Sequence, residues 1–175
     1  MRNLFQGREI PVNVRWLVRR DFEQVLAIEE TCFEFPWTDE EFRQCLQDRN
    51  CLGMVAEHEG RVVGFLVYET PKNRFLVTNI AVDPEFQRRG FARQMIQKLV
   101  SKMIHQRRNK VAITIRETNL PALLCFRALG FKAVTTLKNF YDEQDEDTYV
   151  LQYRLGKEHV DPVYAPSQTD TLLVG

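Results

Sequence analysis

Residues 79–92 carry the chemistry that residue type and spacing make most legible. Asn79-Ile80-Ala81-Val82-Asp83-Pro84 reads as the end of a strand, and Gln87-Arg88-Arg89-Gly90-Phe91-Ala92 as a turn that opens into a helix. Unpaired backbone N–H groups at a helix start, reinforced by the helix dipole, form an anion site. Gly90 permits the close backbone approach a phosphate requires, and Arg88, Arg89 and Arg93 add fixed positive charge. A surface turn with solvated arginines has the same local pattern, so the motif needs its structural context.

Other chemistries fit less well. Cys32, Cys45, Cys51 and Cys125 show no Cys-x-x-Cys spacing, and His58, His105 and His159 do not cluster with them. A metal site and a disulfide framework are therefore both disfavoured. Ser101 and Ser167 lack a Gly-x-Ser-x-Gly setting, which argues against a serine hydrolase. Cys125, beside Phe126 in an apolar helix, reads as a small buried thiol.

The elements that must position residues 79–92 follow from periodicity. Val14–Val18 is a strand candidate. Asp21 and Gln24 form a capping-box pair before a stripe of Phe22, Val25, Ile28, Cys32 and Phe33 that only Glu29 interrupts. Phe35-Pro36-Trp37 breaks that helix, because the residue before proline is pushed out of the α region. Thr38 and Glu41 cap a second helix whose buried side is Phe42, Cys45 and Leu46. Strands at Cys51–Glu57, Arg61–Thr70 and Phe75–Val82 read as an antiparallel meander. Past Pro84 the period becomes helical: Phe91, Met95, Leu99 and Met103 form one row, and Ala92, Ile96, Val100 and Ile104 its neighbour. Val111–Arg116 is a strand, Asn119 caps a helix that Gly130 ends, and strands near Phe131–Lys138 and Thr148–Arg154 flank an acidic loop. The pattern predicts an α/β fold with a mixed, mostly antiparallel sheet flanked by helices. Residues 1–13 read as an N-terminal extension, 14–155 as the domain and 156–175 as a C-terminal tail.

With 175 residues, 44% hydrophobic and 27% charged, the chain has the composition of one globular domain. Its 24 basic and 24 acidic side chains cancel, which removes the usual warrant for nucleic-acid binding. The charges are nonetheless segregated. Residues 21–59 hold eleven Asp/Glu against Arg43 and Arg49, whereas residues 87–110 hold eight Lys/Arg and no acid. That asymmetry suits one segment facing a polyanion and another facing a cationic partner. No apolar run is long enough to cross a membrane and no secretory leader is visible, so a cytoplasmic location is expected.

Gln87-x-x-Gly90-x-Ala92 after a strand resembles the pyrophosphate-binding loop of the GNAT N-acetyltransferase superfamily. Three further segments are similar to ribosomal-protein-alanine N-acetyltransferases and related protein N-terminal acetyltransferases. They are Ile28-Glu29 through Phe35-Pro36-Trp37-Thr38, Arg116-Glu117-Thr118-Asn119 through Leu129-Gly130-Phe131, and Lys138-Asn139-Phe140-Tyr141. The resemblance implies an acetyl-CoA cofactor and a GNAT-like fold. It implies that backbone groups of Ile80, Ala81 and Val82 pair with the pantetheine arm, with one N–H polarising the thioester carbonyl. It also implies that N–H groups across Arg88, Arg89, Gly90, Phe91, Ala92 and Arg93 hold the pyrophosphate. Asn119 and Phe126 match cofactor-side positions, and Phe35, Pro36, Trp37 and Tyr141 match the acceptor-peptide groove. For Trp37 the alternative is a core aromatic, and for Asn119 a plain helix cap, a role compatible with cofactor binding.

Two positions depart from the family. Thr114 stands where the alanine N-acetyltransferases carry a glutamate base, and Phe126 where they carry a tyrosine acid. Neither side chain titrates. The expected catalytic contributors are then Thr114, holding a water, and Tyr141, protonating the departing thiolate, with Glu34 and Glu117 as other base candidates. The acceptor expected is the α-amine of a protein, such as a basic ribosomal protein. A small-molecule amine acceptor and a non-catalytic acyl-CoA sensor are the alternatives.

Overall fold

The computed structural model describes residues 10–138 and 147–156. Seven strands form one sheet: β1 (Asn13–Trp16), β2 (Cys51–His58), β3 (Arg61–Glu69), β4 (Arg74–Val82), β5 (Lys110–Arg116), β6 (Lys132–Leu137) and β7 (Thr148–Arg154). Their order is β1-β2-β3-β4-β5-β7-β6. Among these pairs β4 and β5 alone run parallel, joined by the helical crossover that a parallel pair requires. The expected mixed, mostly antiparallel architecture is present.

Among the described residues four α-helices cover the sheet: α1 (Phe22–Cys32), α2 (Asp39–Gln47), α3 (Phe91–His105) and α4 (Leu120–Ala128). On one face Phe91, Met95, Leu99 and Met103 of α3 and Phe126 of α4 pack against Phe75, Val77, Val111, Ile113 and Ile115. On the other, Val25 and Ile28 of α1 and Phe42 of α2 pack against Val55, Phe65, Val67 and Ala81. Alternation along each strand divides its side chains between the two cores. Ile104, expected on the buried side of α3, is 47% exposed, whereas its neighbour Met103 is 0% exposed, so the core-facing side of the last turn is narrower than the two rows implied.

Local signals decide most boundaries. Thr38 caps α2, accepting from Glu41 N–H at 3.2 Å while Glu41 accepts from Thr38 N–H at 2.7 Å. Asn119 caps α4, its side chain accepting from Ala122 N–H at 3.1 Å. The start of α1 differs from expectation. Asp21 does not cap through its side chain; it is buried, taking both guanidinium ends of Arg15 at 2.7 and 2.9 Å and the Val18 N–H at 2.9 Å. Gln24, the expected capping partner, accepts instead from Val62 N–H on β3 at 3.0 Å.

Residues 10–12, ahead of β1, are hydrogen-bonded to α3: the Gln94 amide donates to Ile10 C=O at 2.8 Å and accepts from Val12 N–H at 3.1 Å. One further expectation changes. Cys45 and Cys51, which lack a diagnostic spacing, are disulfide-bonded with Cα atoms 5.9 Å apart, tying the end of α2 to the start of β2. Spacing rules for frameworks and metal sites do not register a single bridge of this kind.

Candidate functional site

The site begins where the sheet opens. Pairing of β4 with β5 ends at Val77 and Ile113, although β4 continues to Val82 and β5 to Arg116. A bulge at Thr78 shifts β4 against β3, since Val67 pairs with Asn79 but Tyr68 pairs with Val77. Beyond it Asp83 N–H donates to Val63 C=O at 2.9 Å. Antiparallel alternation therefore turns the N–H and C=O of Ala81 toward β3 and those of Ile80 and Val82 away from it, into the wedge between β4 and β5. A ligand with an extended amide arm can add there as a strand, which is the role that the sequence motif implies for this stretch. Only alternate residues face the ligand in such pairing, so Ile80 and Val82 are the ones whose backbone is directed there. The Val82 carbonyl already accepts from Gln87 Nε2 at 3.0 Å and from the Cys32 thiol at 3.4 Å.

At the mouth of the wedge the chain turns into α3. Asp83 steers the turn, accepting from Glu85 N–H at 3.0 Å and pairing with Arg61 at 2.7 Å. Arg88 and Gly90 both adopt left-handed backbone, with φ of 63° and 83°. Glycine takes that conformation without strain, and the reversal points successive N–H groups to one side as the helix begins. The first backbone bond of α3 is from Gln94 N–H to Gly90 C=O, at 3.1 Å, so the N–H groups of Phe91 and Ala92, at the helix start, have no intrahelical acceptor. The arginines differ in position: Arg88 and Arg89 are exposed, and Arg89 donates to Glu85 C=O at 2.9 Å while stacking on Phe86. An unpaired strand edge followed by a cationic helix start fits an extended arm ending in a diphosphate.

Across the wedge, Thr114 lies on β5 opposite Val150 and is half-buried. Its neighbours Ile113 and Ile115 belong to the α3–α4 core, so Thr114 points to the face covered by α1 and α2. Phe126 is on the other side, 4% exposed and edge-on to Phe131 with centroids 5.1 Å apart. The structure thus does not bring Thr114 and Phe126 to one face. Glu34 and Glu117 are exposed, and Glu117 accepts from Asp147 N–H at 3.4 Å at the end of β5. Tyr141 lies outside the described residues.

The break between α1 and α2 separates its aromatics. Phe35 is 52% exposed and Pro36 is exposed, whereas Trp37 is 6% exposed, its indole edge-on to Phe42 at 5.0 Å. Trp37 is therefore part of the core beneath the loop, and Phe35 is the aromatic presented above it.

One functional group escaped the sequence reading. Glu29, the one interruption of the apolar stripe on α1, is 0% exposed. Its carboxylate accepts from Trp37 N–H at 2.9 Å and from the Asn79 side-chain amide at 2.9 Å. Burial pushes its pKa up to about 7, opposed by those two hydrogen bonds and assisted by the charge of Glu41. Cys32, one turn on, is pushed up to about 11 by burial, with Asp83 and Glu29 adding to the shift. A carboxylate on the buried stripe was the available signal.

Comparison with known proteins agrees with this fold. The sequence profile of the Acetyltransferase (GNAT) family matches residues 22–131. The chain is 26% identical over 133 residues, 75% of its own length and 89% of the relative's, to [ribosomal protein bS18]-alanine N-acetyltransferase of Escherichia coli. It is 27% identical over 148 residues, covering 81% and 92%, to N-alpha-acetyltransferase RimI of Mycobacterium tuberculosis. Among solved structures, ribosomal-protein-S18-alanine N-acetyltransferase from Escherichia coli superposes with a TM-score of 0.77 at 22% identity, over 89% of this chain and all of that one. Arabidopsis thaliana NAA60 in complex with acetyl-CoA gives 0.73 at 17% identity, over 83% and 99%. The chain belongs to the acetyltransferase (GNAT) family.

Proposed function

We propose that this protein acetylates the N-terminal α-amine of a protein substrate, taking the acetyl group directly from acetyl-CoA. When bound, acetyl-CoA supplies an activated thioester whose acetyl carbon forms the new bond to the amine nitrogen while the sulfur departs. In this reading the wedge backbone at Ile80 and Val82 aligns the thioester arm, the N–H groups from Arg88 to Arg93 hold the diphosphate, and the Asn119 amide, whose oxygen caps α4, adds a donor through its nitrogen. Phe35 and Pro36 present the surface over which an acceptor peptide passes.

The observation that carries the choice of acceptor is Thr114. An α-amine of pKa about 8 is roughly one tenth neutral at pH 7, so the lack of a titrating base there costs about 1.4 kcal/mol. A lysine side chain of pKa about 10.4 would cost about 4.6 kcal/mol. Thr114 holding a water, and Tyr141 as proton donor to the departing sulfur, complete the proposal. The relatives named above act on a ribosomal protein or on N-terminal amines, and the acidic segment 21–59 suits a cationic N-terminal peptide such as a ribosomal protein's. Such a substrate accords with a cytoplasmic location, and no described helix is long and apolar enough to cross a membrane.

Incubation with acetyl-CoA and peptides varying in their first residue, read by mass spectrometry, tests the reading. A mass gain of one acetyl group on the α-amine supports it. Acetylation confined to small amines, or tight acetyl-CoA binding with no turnover, would replace it with the corresponding alternative.

A further inference from the structure

We infer that Glu29 is a positioning residue for acetyl transfer, one carboxylate that fixes the acceptor loop to the cofactor strand and so sets the spacing of the two substrates. The inference rests on the function proposed above. Oε1 holds the backbone of Trp37, two residues past the exposed Phe35; Oε2 holds Asn79, immediately before Ile80, whose backbone faces the wedge. A single side chain on α1 thus connects the two binding surfaces.

Packing alone does not account for a carboxylate here. Glu29 is fully buried and no cation pairs with it among the described residues. A neutral glutamine of the same shape would make two hydrogen bonds without the cost of a buried charge. What the carboxylate adds is a choice of state. Asn79 Oδ1 is buried without a partner among the described residues. With Glu29 ionised, Asn79 Nδ2 donates to Oε2; with Glu29 protonated, Oε2–H can donate to Asn79 Oδ1 after rotation of the amide. The tether survives in both forms and reverses its polarity next to the wedge. The charged and titratable groups bearing on it are Glu41 from α2 and Cys32 on its own helix, while β3 and β4 contribute Phe65, Val67, Ala81 and the neutral Asn79 to this core.

The test compares Glu29→Ala and Glu29→Gln in the full chain, using an alanine-initiated peptide and acetyl-CoA. Glu29→Ala should lower kcat/KM for the peptide by tenfold to a hundredfold, the scale expected of a misplacement near 1 Å, with acetyl-CoA affinity within twofold of wild type by calorimetry. Glu29→Gln should recover most of that loss near pH 7 and remove a titration of the Trp37 backbone amide shift that wild type shows with a midpoint near 7. Should Glu29→Ala not fold, Asn79→Asp replaces it: two facing carboxyls should impair transfer, and adding Glu29→Gln should restore it. A kcat/KM loss no larger than the loss of acetyl-CoA affinity, an equal loss in Glu29→Gln, or failure of the double variant to restore transfer would overturn the inference. Absence of turnover on every peptide in wild type would overturn the proposed function instead. The Trp37 amide titration and its disappearance in Glu29→Gln would still report the tether.

Discussion

The Gln87 side-chain amide donates to the Val82 carbonyl at 3.0 Å, bending back over the turn that separates strand β4 from helix α3. The strand edge and the helix start are thereby held as one unit. Because the bond ends on backbone, it does not depend on the side chain at position 82 but does require a side-chain donor at position 87.

Gly90→Asp should abolish acetyl-CoA binding without unfolding the domain. The left-handed φ of 83° strains any residue with a Cβ by about 1 kcal/mol, and the new carboxylate would sit at the helix start meant for a diphosphate. Calorimetry checks the affinity and circular dichroism the fold. Wild-type affinity would refute the loop assignment.

The acceptor loop should show a division of labour. Trp37→Ala removes a ring packed on Phe42 and is expected to destabilise the protein by about 3–5 kcal/mol. Phe35→Ala, at a residue 52% exposed, should change stability by less than about 1 kcal/mol while raising the peptide KM severalfold. Denaturant melts and steady-state kinetics separate the two effects, and an unchanged peptide KM in Phe35→Ala would remove this face from the acceptor path.

Thr114→Glu should raise kcat/KM on an α-amine peptide, by at most about tenfold near pH 7 and progressively less toward pH 8.5, where the amine is already largely neutral. Phe126→Tyr is a separate matter. Its ring is 4% exposed against Phe131, so a buried hydroxyl costs about 1–3 kcal/mol unless it reaches a partner in the wedge. Tm measurements on the single variants, and pH–rate profiles on both together, distinguish gain of a base from loss of packing. A profile unchanged by Thr114→Glu would show that another group already accepts the proton.

Glu29 predicts a specific dependence of stability on pH. Its pKa rises from about 4.5 when unfolded to about 7 when folded, so the folded state binds more protons between those values. Stability is therefore greatest below pH 4.5 on this group's account and falls as pH rises to 7, by about 3 kcal/mol over the window. Urea midpoints of wild type should decline relative to Glu29→Gln between pH 5 and 7. Parallel curves would mean that Glu29 titrates normally.

How far the sequence spoke depended on whether a signal was local. Thr148–Arg154, the Thr38 and Asn119 caps and the crossover between β4 and β5 were legible because capping boxes and period changes lie within a few residues. Asp21 was not, since its strongest partner, Arg15, reaches it from β1 and outcompetes a local cap. The same holds for Glu29, whose partners are Trp37 and Asn79 on two other elements, eight and fifty residues away. The motif around Gly90 marked the turn into α3 and its left-handed glycine. Which residues of β4 turn their backbone into the wedge depended on the bulge at Thr78, and nothing in the side chains announces the register it sets.

The wedge also bears on aggregation. An unpaired strand edge is a template for a strand from another chain, and proteins ordinarily keep such edges short or charged at the sides of a sheet. Here the outer edges are β1 and β6, while the unpaired half of β4 lies inside the sheet between β3 and β5. A foreign strand can enter it only lengthwise through the open end, past the cationic start of α3, and cannot zip on from the side. Enclosure thus lets the protein keep an exposed row of hydrogen-bonding groups ready for a narrow polyanionic arm while denying it to most of its own kind.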